Sequence, residues 1–387
     1  MKDLKIVYLA NAYGHISGPL CDELSKVYGD DFIFIATDEL DEDRKGIGAE
    51  AKRDFVINVN EDKEKAKKLC DEADVLIFGS APTEYIENRI KNNKLTIYYS
   101  ERLFKNNILR YLNPITLWHL KKRFIDPSKN SNFHLICASS FAALDFNRIG
   151  AFKNKMYKWG YQPTVFEKDI DSVISKKAED GLDFIWVGRL VSLKHCDDAI
   201  RVIANLRKMG YNARMKVVGT GEEENNLKAL AKELGVEEHI DFKGRCLIDD
   251  TRRMMDDANI FLFTSDFGEG WGVTLNECMN SGIACVASHG AGATNFLVND
   301  GENALLYVSG DVNMLTEKAK LLVDNKELRE KIGKNAYKTI YENWNTKTTH
   351  KRMIQFINEL QEKGSCELFA DGPCSKAEPL SHDWYKG

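Results

Sequence analysis

Apolar positions in this chain fall into two kinds of stretch. Short continuous apolar runs occur at Lys5 to Ala10, Asp31 to Ala36, Phe55 to Val59, Val75 to Gly79, Leu95 to Ser100 and Phe133 to Ala138. Between most of them the apolar residues recur every three to four positions, as at Glu61 to Ala73 and Thr83 to Lys91. The first kind predicts buried strands and the second amphipathic helices. The pattern restarts after the charged stretch Glu167 to Asp180. It continues through Leu182 to Val187, Arg214 to Val218, Ile240 to Lys243, Ile260 to Thr264, Ile283 to Ala287 and Ala304 to Tyr307. Such alternation predicts parallel sheets with helices on both faces, so the fold class is α/β with two doubly wound, Rossmann-like domains. Ligands bind such sheets beyond the carboxyl ends of the strands.

At one of those ends, Phe263 to Val286 reads FTSDFGEGWGVTLNECMNSGIACV. Glycines interrupt the strand, and Val273 to Ser281 then has a helical apolar pattern until Gly282 stops it. Glu269 therefore lies on a loop and Glu277 in a helix. The backbone N–H groups of Gly270, Trp271 and Gly272 stand at that helix start, where the dipole favours a phosphate or a polarised hydroxyl. Carboxylates accept hydrogen bonds from vicinal hydroxyls, so the pair suits a polyhydroxyl ligand.

The spacing of Glu269 and Glu277 resembles the E-x7-E motif of retaining glycosyltransferases with the two-domain GT-B fold, the large family-4 group. The flanking segments follow in that family's order: Phe184 to Arg189 with Lys194, Val217 to Glu222, His239 to Gly244, Gly282 to Ser288 and Asp300 to Leu306. The resemblance covers roughly residues 182 to 310. It implies that Arg189 and Lys194 hold the diphosphate of a nucleotide sugar, where fixed cations stabilise the charge that develops on the leaving group. Glu269 would then orient the donor sugar, Glu277 the ribose and the backbone at Gly270 to Gly272 the sugar hydroxyls. The turn with Gly219 and Gly221 lies near the nucleotide in the family; taken alone it is also an ordinary tight turn. The family's terminal helix, which crosses back to the first domain, corresponds to Trp344 to Lys363. The domains implied are 1–165 with helix 344–363, and 166–343, facing a cleft. Residues 364–387 have little periodicity and read as a mobile tail.

Competing motifs fail. No G-x-x-x-x-G-K-[ST] occurs, and Glu224 stands where a dinucleotide fingerprint needs its third glycine. Asp41/Asp43 and Asp169/Asp171 have D-x-D spacing but lie in acid-rich hydrophilic stretches, so no metal and no cofactor is expected. A net charge of −5 supplies no counterion-release term for nucleic acid. Nine scattered cysteines without a C-x2-C pair read as reduced thiols in the cytoplasm. Cys366 and Cys374 read as free thiols rather than a pair. The opening MKDLKIVYLANAYG reads directly as a strand, so no signal peptide is expected, and no apolar run approaches the roughly 20 residues that a membrane span needs.

The first half holds fewer signals. The loop Asn11 to Pro19, with Gly14, His15 and Gly18, resembles the family's glycine-containing loop near the donor phosphates and the acceptor. Where the family often has a histidine touching the donor sugar, this chain has Ser100-Glu101-Arg102. Glu101 either replaces that histidine or pairs with Arg102 or another cation. Residues 102–129 interleave basic and apolar side chains with one acid, Asp126. They suit either an anionic lipid surface, at the inner face of the cell membrane, or a core-packing helix with a charged outer face. The resemblance implies retaining transfer of a hexose from a nucleotide diphosphate sugar to a saccharide or lipid-linked saccharide, in surface polysaccharide synthesis. The leaving diphosphate, not a covalent enzyme intermediate, would help deprotonate the acceptor. A nucleotide-sugar epimerase or hydrolase, or a noncatalytic nucleotide-sugar binding module, would share the same donor residues.

Overall fold

The computed structural model describes residues 4–14, 17–39, 53–105 and 113–387. His15, Asp41, Asp43 and residues 106–112 of the basic segment lie outside them. The chain divides into two compact units: Met1–Thr164 with Trp344–Ser381, and Val165–Asn343 with His382–Gly387. The helices used below are α1 (Gly18–Tyr28), α2 (Lys63–Glu72), α3 (Pro114–Leu120), α4 (Cys196–Lys208), α5 (Ile248–Asp257), α6 (Val273–Asn280) and α7 (Thr346–Lys363).

The first unit contains strands β1 (Ile6–Ala10), β2 (Phe32–Ala36), β3 (Val56–Asn58), β4 (Val75–Phe78), β5 (Thr96–Ser100), β6 (Phe133–Cys137) and β7 (Met156–Lys158). They form one sheet in the order β3-β2-β1-β4-β5-β6-β7 with every pair parallel. Strands β1, β4 and β6 are buried along their whole length. Covered on both faces, they read as continuous apolar runs instead of alternating ones. Asp62 caps α2, its carboxylate accepting from the Lys65 N–H at 2.9 Å. Helix α7 starts at an Asn345 cap and ends at Gly364 in the left-handed region. Its Met353, Phe356, Ile357 and Leu360 are buried at helical spacing in the core of this unit, each contributing about 2 kcal/mol. Phe356 meets Tyr157 edge-on at 4.7 Å.

The reading of residues 364–387 as a mobile tail is corrected by their packing. Cys374 N–H donates to the Lys158 carbonyl at 2.8 Å, Lys158 N–H to Ser375 at 2.7 Å, and Ala377 N–H to Met156 at 3.0 Å. Tyr157 and Lys376 form an antiparallel bridge, so this segment lies along β7. Cys366 and Cys374 are buried free thiols. The last residues, His382–Gly387, pack within the second unit.

The second unit contains β8 (Asp183–Val187), β9 (Arg214–Val218), β10 (Ile240–Gly244), β11 (Ile260–Phe263), β12 (Ala284–Ser288) and β13 (Leu305–Tyr307). They form a parallel sheet in the order β10-β9-β8-β11-β12-β13. Strand order reverses between β8 and β11, the switch point where open α/β sheets leave a crevice. One apolar cluster from Leu182 to Ile332 fills the unit, with Ile200, Ile203 and Leu206 of α4 set against Val217, Leu262 and Val286.

Candidate active site

The chain leaves β8 at Val187 and passes through Gly188 and Arg189 into a short turn, Ser192–Lys194. His195 then adopts left-handed angles (φ 48°, ψ 48°) before α4 begins. Lys194 thus sits in a separate turn just ahead of the helix. Across the switch point, β11 ends at Phe263 and leads into the loop with Glu269. Lys194 Nζ forms an ion pair with Glu269 Oε2, and the two side chains are only 14% and 12% exposed. Thr264 supports the pair: its hydroxyl accepts from Trp186 Nε1 at 2.9 Å and donates to the Lys194 carbonyl at 2.6 Å. Asp266 N–H donates to the Leu193 carbonyl at 3.0 Å. The Asp266 carboxylate accepts from the Gly268 N–H at 2.7 Å and meets His195 Nε2 at 3.1 Å. That bond is the main reason the His195 pKa is raised above its usual value.

Glu277 lies in α6, as its position in the sequence implies. Burial pushes its carboxyl up to about 7, only partly offset by Arg252, whose Nη2 is 3.9 Å away. Arg252 comes from α5 and also covers the Phe166 ring at 4.5 Å. Gly272 precedes α6 with φ +93°, and a Cβ there would stand 2.3 Å from the Phe263 ring. Only glycine tolerates both the angle and that approach. Trp271 is fully buried with its indole N–H on Asn276 Oδ1 at 2.8 Å, so only its backbone can serve a ligand. The first N–H groups of a helix lack intrahelical acceptors, and Gly270 to Gly272 lead into such an end beside both glutamates.

Gly219 and Gly221 have a packing reason. A Cβ on Gly219 would lie 1.9 Å from the Gly188 carbonyl oxygen, and one on Gly221 2.2 Å from that of Leu190. The turn after β9 is therefore pressed flat against the Gly188–Leu190 backbone, next to Arg189. Arg189 itself is exposed at the end of β8. The sequence reading did not find His195, Asp266, Thr264 or Arg252. None belongs to a spaced motif; the acidic Asp266 three residues before Glu269 was the only local sign.

In the first unit, Gly14 and Glu101 line a cavity of about 410 Å³ with Asn11, Tyr99, Lys105 and Tyr161. It opens past the ends of β1, β4 and β5, which again flank a switch point. Glu101 accepts from Tyr161 and pairs with Lys105. The buried guanidinium of Arg102 pairs with the buried Asp145 at 3.3 Å, which removes it from the basic surface read in the sequence. Of the remaining segment, Leu120 and Phe124 are buried, Phe124 lying 5.3 Å from both Tyr98 and Phe146. Ile115, Leu117 and Trp118 of α3 are exposed, Trp118 by 57%, beside Lys121, Lys122 and Arg123. Asp169 caps a helix through the Ser172 N–H, and Asp171 pairs with Lys334, which accounts for that D-x-D spacing. Among the described residues, His195, Asp197 and Asp198 could offer three ligand atoms to a metal, with His195 already engaged by Asp266.

Residues 167–339 match the family model described as glycosyl transferases group 1. An uncharacterized glycosyltransferase of Haemophilus influenzae is 32% identical over 142 residues, 37% of this chain and 39% of that protein. A capsular polysaccharide biosynthesis glycosyltransferase of Staphylococcus aureus, CapM, is 26% identical over 184 residues, 47% of this chain and 48% of that protein. The chain thus spans less than half the length of these curated relatives. HepE of Anabaena, solved in complex with UDP, superposes with a TM-score of 0.67 at 16% identity, covering 92% of this chain and all of that one. The chain has the GT-B fold, and its residues 167–339 are similar to the group 1 glycosyl transferases.

Proposed function

We propose that the protein is a retaining glycosyltransferase that moves a hexose from a nucleotide diphosphate sugar to a saccharide or lipid-linked saccharide hydroxyl in cell-surface polysaccharide synthesis. The observation that carries this reading is the Lys194–Glu269 pair, set at the switch point of the second sheet with Arg189 on one side and the start of α6 on the other. In this reading Arg189 and Lys194 stabilise the leaving diphosphate. Glu269 orients the donor sugar, holding Lys194 in place until the donor arrives. Glu277 takes the ribose hydroxyls, and the backbone at Gly270 to Gly272 takes the sugar hydroxyls. The anomeric C–O bond to the diphosphate breaks and a C–O bond to the acceptor forms on the same face. The acceptor's proton passes to the leaving diphosphate. Rate enhancement comes from positioning and electrostatics, without a metal, a cofactor or a covalent intermediate.

Uracil is the first base to test, because HepE was solved with UDP and has this fold. The cavity around Glu101 and Tyr161, rich in hydroxyls and aromatic rings, suits a polyhydroxyl acceptor. The exposed face of α3 supports peripheral contact with the cytoplasmic side of a membrane, where a lipid-linked acceptor would lie; among the described residues no helix is long and apolar enough to cross one.

The deciding experiment is a thermal-shift screen against uridine, guanosine, adenosine and thymidine diphosphates and their sugars. A ligand at a hundredfold excess over its dissociation constant stabilises by about 2.7 kcal/mol. The expected result is a shift with one base that disappears in Lys194→Ala. No shift with any base overturns the reading, and donor consumption without an acceptor points to a hydrolase.

A further inference from the structure

The six C-terminal residues pack at the carboxyl edge of the second sheet, against the loops that follow β11, β12 and β13. The His382 ring stacks on Phe267 with centroids 4.5 Å apart and planes 27° from parallel. His289 meets the same phenyl ring edge-on at 5.1 Å. His289 Nδ1 accepts the Ser309 N–H at 3.0 Å, which leaves its Nε2–H to donate to the His382 carbonyl at 3.2 Å. Trp384 Nε1 donates to the His289 carbonyl at 3.1 Å. The Tyr385 hydroxyl lies 3.0 Å from the Leu306 carbonyl and 3.2 Å from Asp300 Oδ2. Gly290 packs so closely on the same residue that a Cβ there would stand 3.2 Å from the Phe267 nitrogen.

Phe267 stands between Asp266, which is tied to His195, and Gly268-Glu269. Within the loop, Glu269 N–H reaches the Asp266 carbonyl at 3.1 Å. A loop of this kind keeps a carboxylate in one orientation only if its neighbours lock it. We propose that His382–Gly387 is a clamp that grips Phe267 and thereby sets Glu269, which makes His382 and Trp384 positioning residues for donor binding. The donor half of this inference rests on the function proposed above; the clamp itself does not.

The test follows hydrogen exchange of residues 264–270 in the full chain, together with UDP affinity. In His382→Ala and Trp384→Ala, exchange of that loop rises by about tenfold while β10 stays protected, and UDP binds about fivefold more weakly. His382→Phe keeps a ring against Phe267 and restores both values. Unchanged exchange at 264–270 in the alanine variants overturns the clamp. Faster exchange with unaltered UDP affinity overturns its role in positioning. Faster exchange in a protein whose wild type binds no nucleotide supports the clamp and sinks the donor reading. If Trp384→Ala does not fold, His382→Ala, which keeps the backbone carbonyl bond to His289, carries the test alone.

Discussion

His195 Nε2 lies 3.1 Å from Asp266 Oδ2, so the turn that presents Lys194 and the loop that presents Glu269 are joined by a further side-chain link beside their own ion pair. Asp266→Asn weakens that link and lowers the His195 pKa. The sign follows from linkage: a histidine raised by its partner contributes stability that is full below its unfolded value of about 6.5 and is lost as pH rises through the folded value. The difference in urea midpoint between wild type and Asp266→Asn is therefore largest near pH 6 and shrinks by pH 9. An equal difference at both ends would show that the imidazolium contributes nothing.

Lys194→Ala and Glu269→Ala are each expected to lower turnover by about two to three orders of magnitude, the usual cost of removing a preorganised charge from a transition state. Circular dichroism should show both variants folded. Normal turnover by either folded variant would remove the pair from the reaction.

Glu277 behaves oppositely to a salt-bridged carboxylate. Its folded pKa of about 7 lies above the unfolded one, so the buried charge costs nothing at low pH and its full penalty is reached above about pH 7. Glu277→Gln should thus gain stability over wild type at pH 8, on the order of 3 kcal/mol at most, and gain little at pH 4. In the same variant nucleotide binding should weaken and lose the pH dependence that wild type shows around neutrality. Calorimetry at three pH values checks both.

Gly219→Ala should cost about 3 kcal/mol or more, because a methyl 1.9 Å from the Gly188 carbonyl meets backbone that cannot move aside. Gly301→Ala is the control: it shares a positive φ, +75°, but a Cβ there meets nothing within 4 Å. It should cost about 1 kcal/mol. Denaturant titrations separate the two, and equal losses would mean that the close approach is unimportant.

Trp118→Ala with Lys122→Glu should reduce sedimentation with phosphatidylserine vesicles by severalfold, since the exposed ring and the cations beside it act together at a charged interface. Vesicles of neutral lipid should bind neither protein. Equal binding of both proteins to the anionic vesicles would remove α3 from any membrane role.

Much of the fold was legible because its strands are buried on both faces and read as plain apolar runs. β7 was not, being only Met156–Lys158 and held in place by a segment more than two hundred residues later. The same distance hid the packing of 364–387. Spacing exposed Glu269 and Glu277, while the partners that tune them did not announce themselves: Arg252 reaches Glu277 from another helix, and Asp266 acts through a histidine 71 positions earlier. Arg102 was misassigned to the surface for a similar reason, its buried partner Asp145 lying 43 residues on.

The segment Cys374 to Ala377, which bridges to β7 at Lys376, also has a role apart from any ligand. It occupies the outward N–H and C=O groups of Lys158 and the carbonyl of Met156, on a strand that ends its sheet. An open edge of that kind is a template for a neighbouring molecule. Closing it in the antiparallel sense disfavours edge-to-edge stacking of copies of the chain, a protection supplied by residues outside both candidate sites.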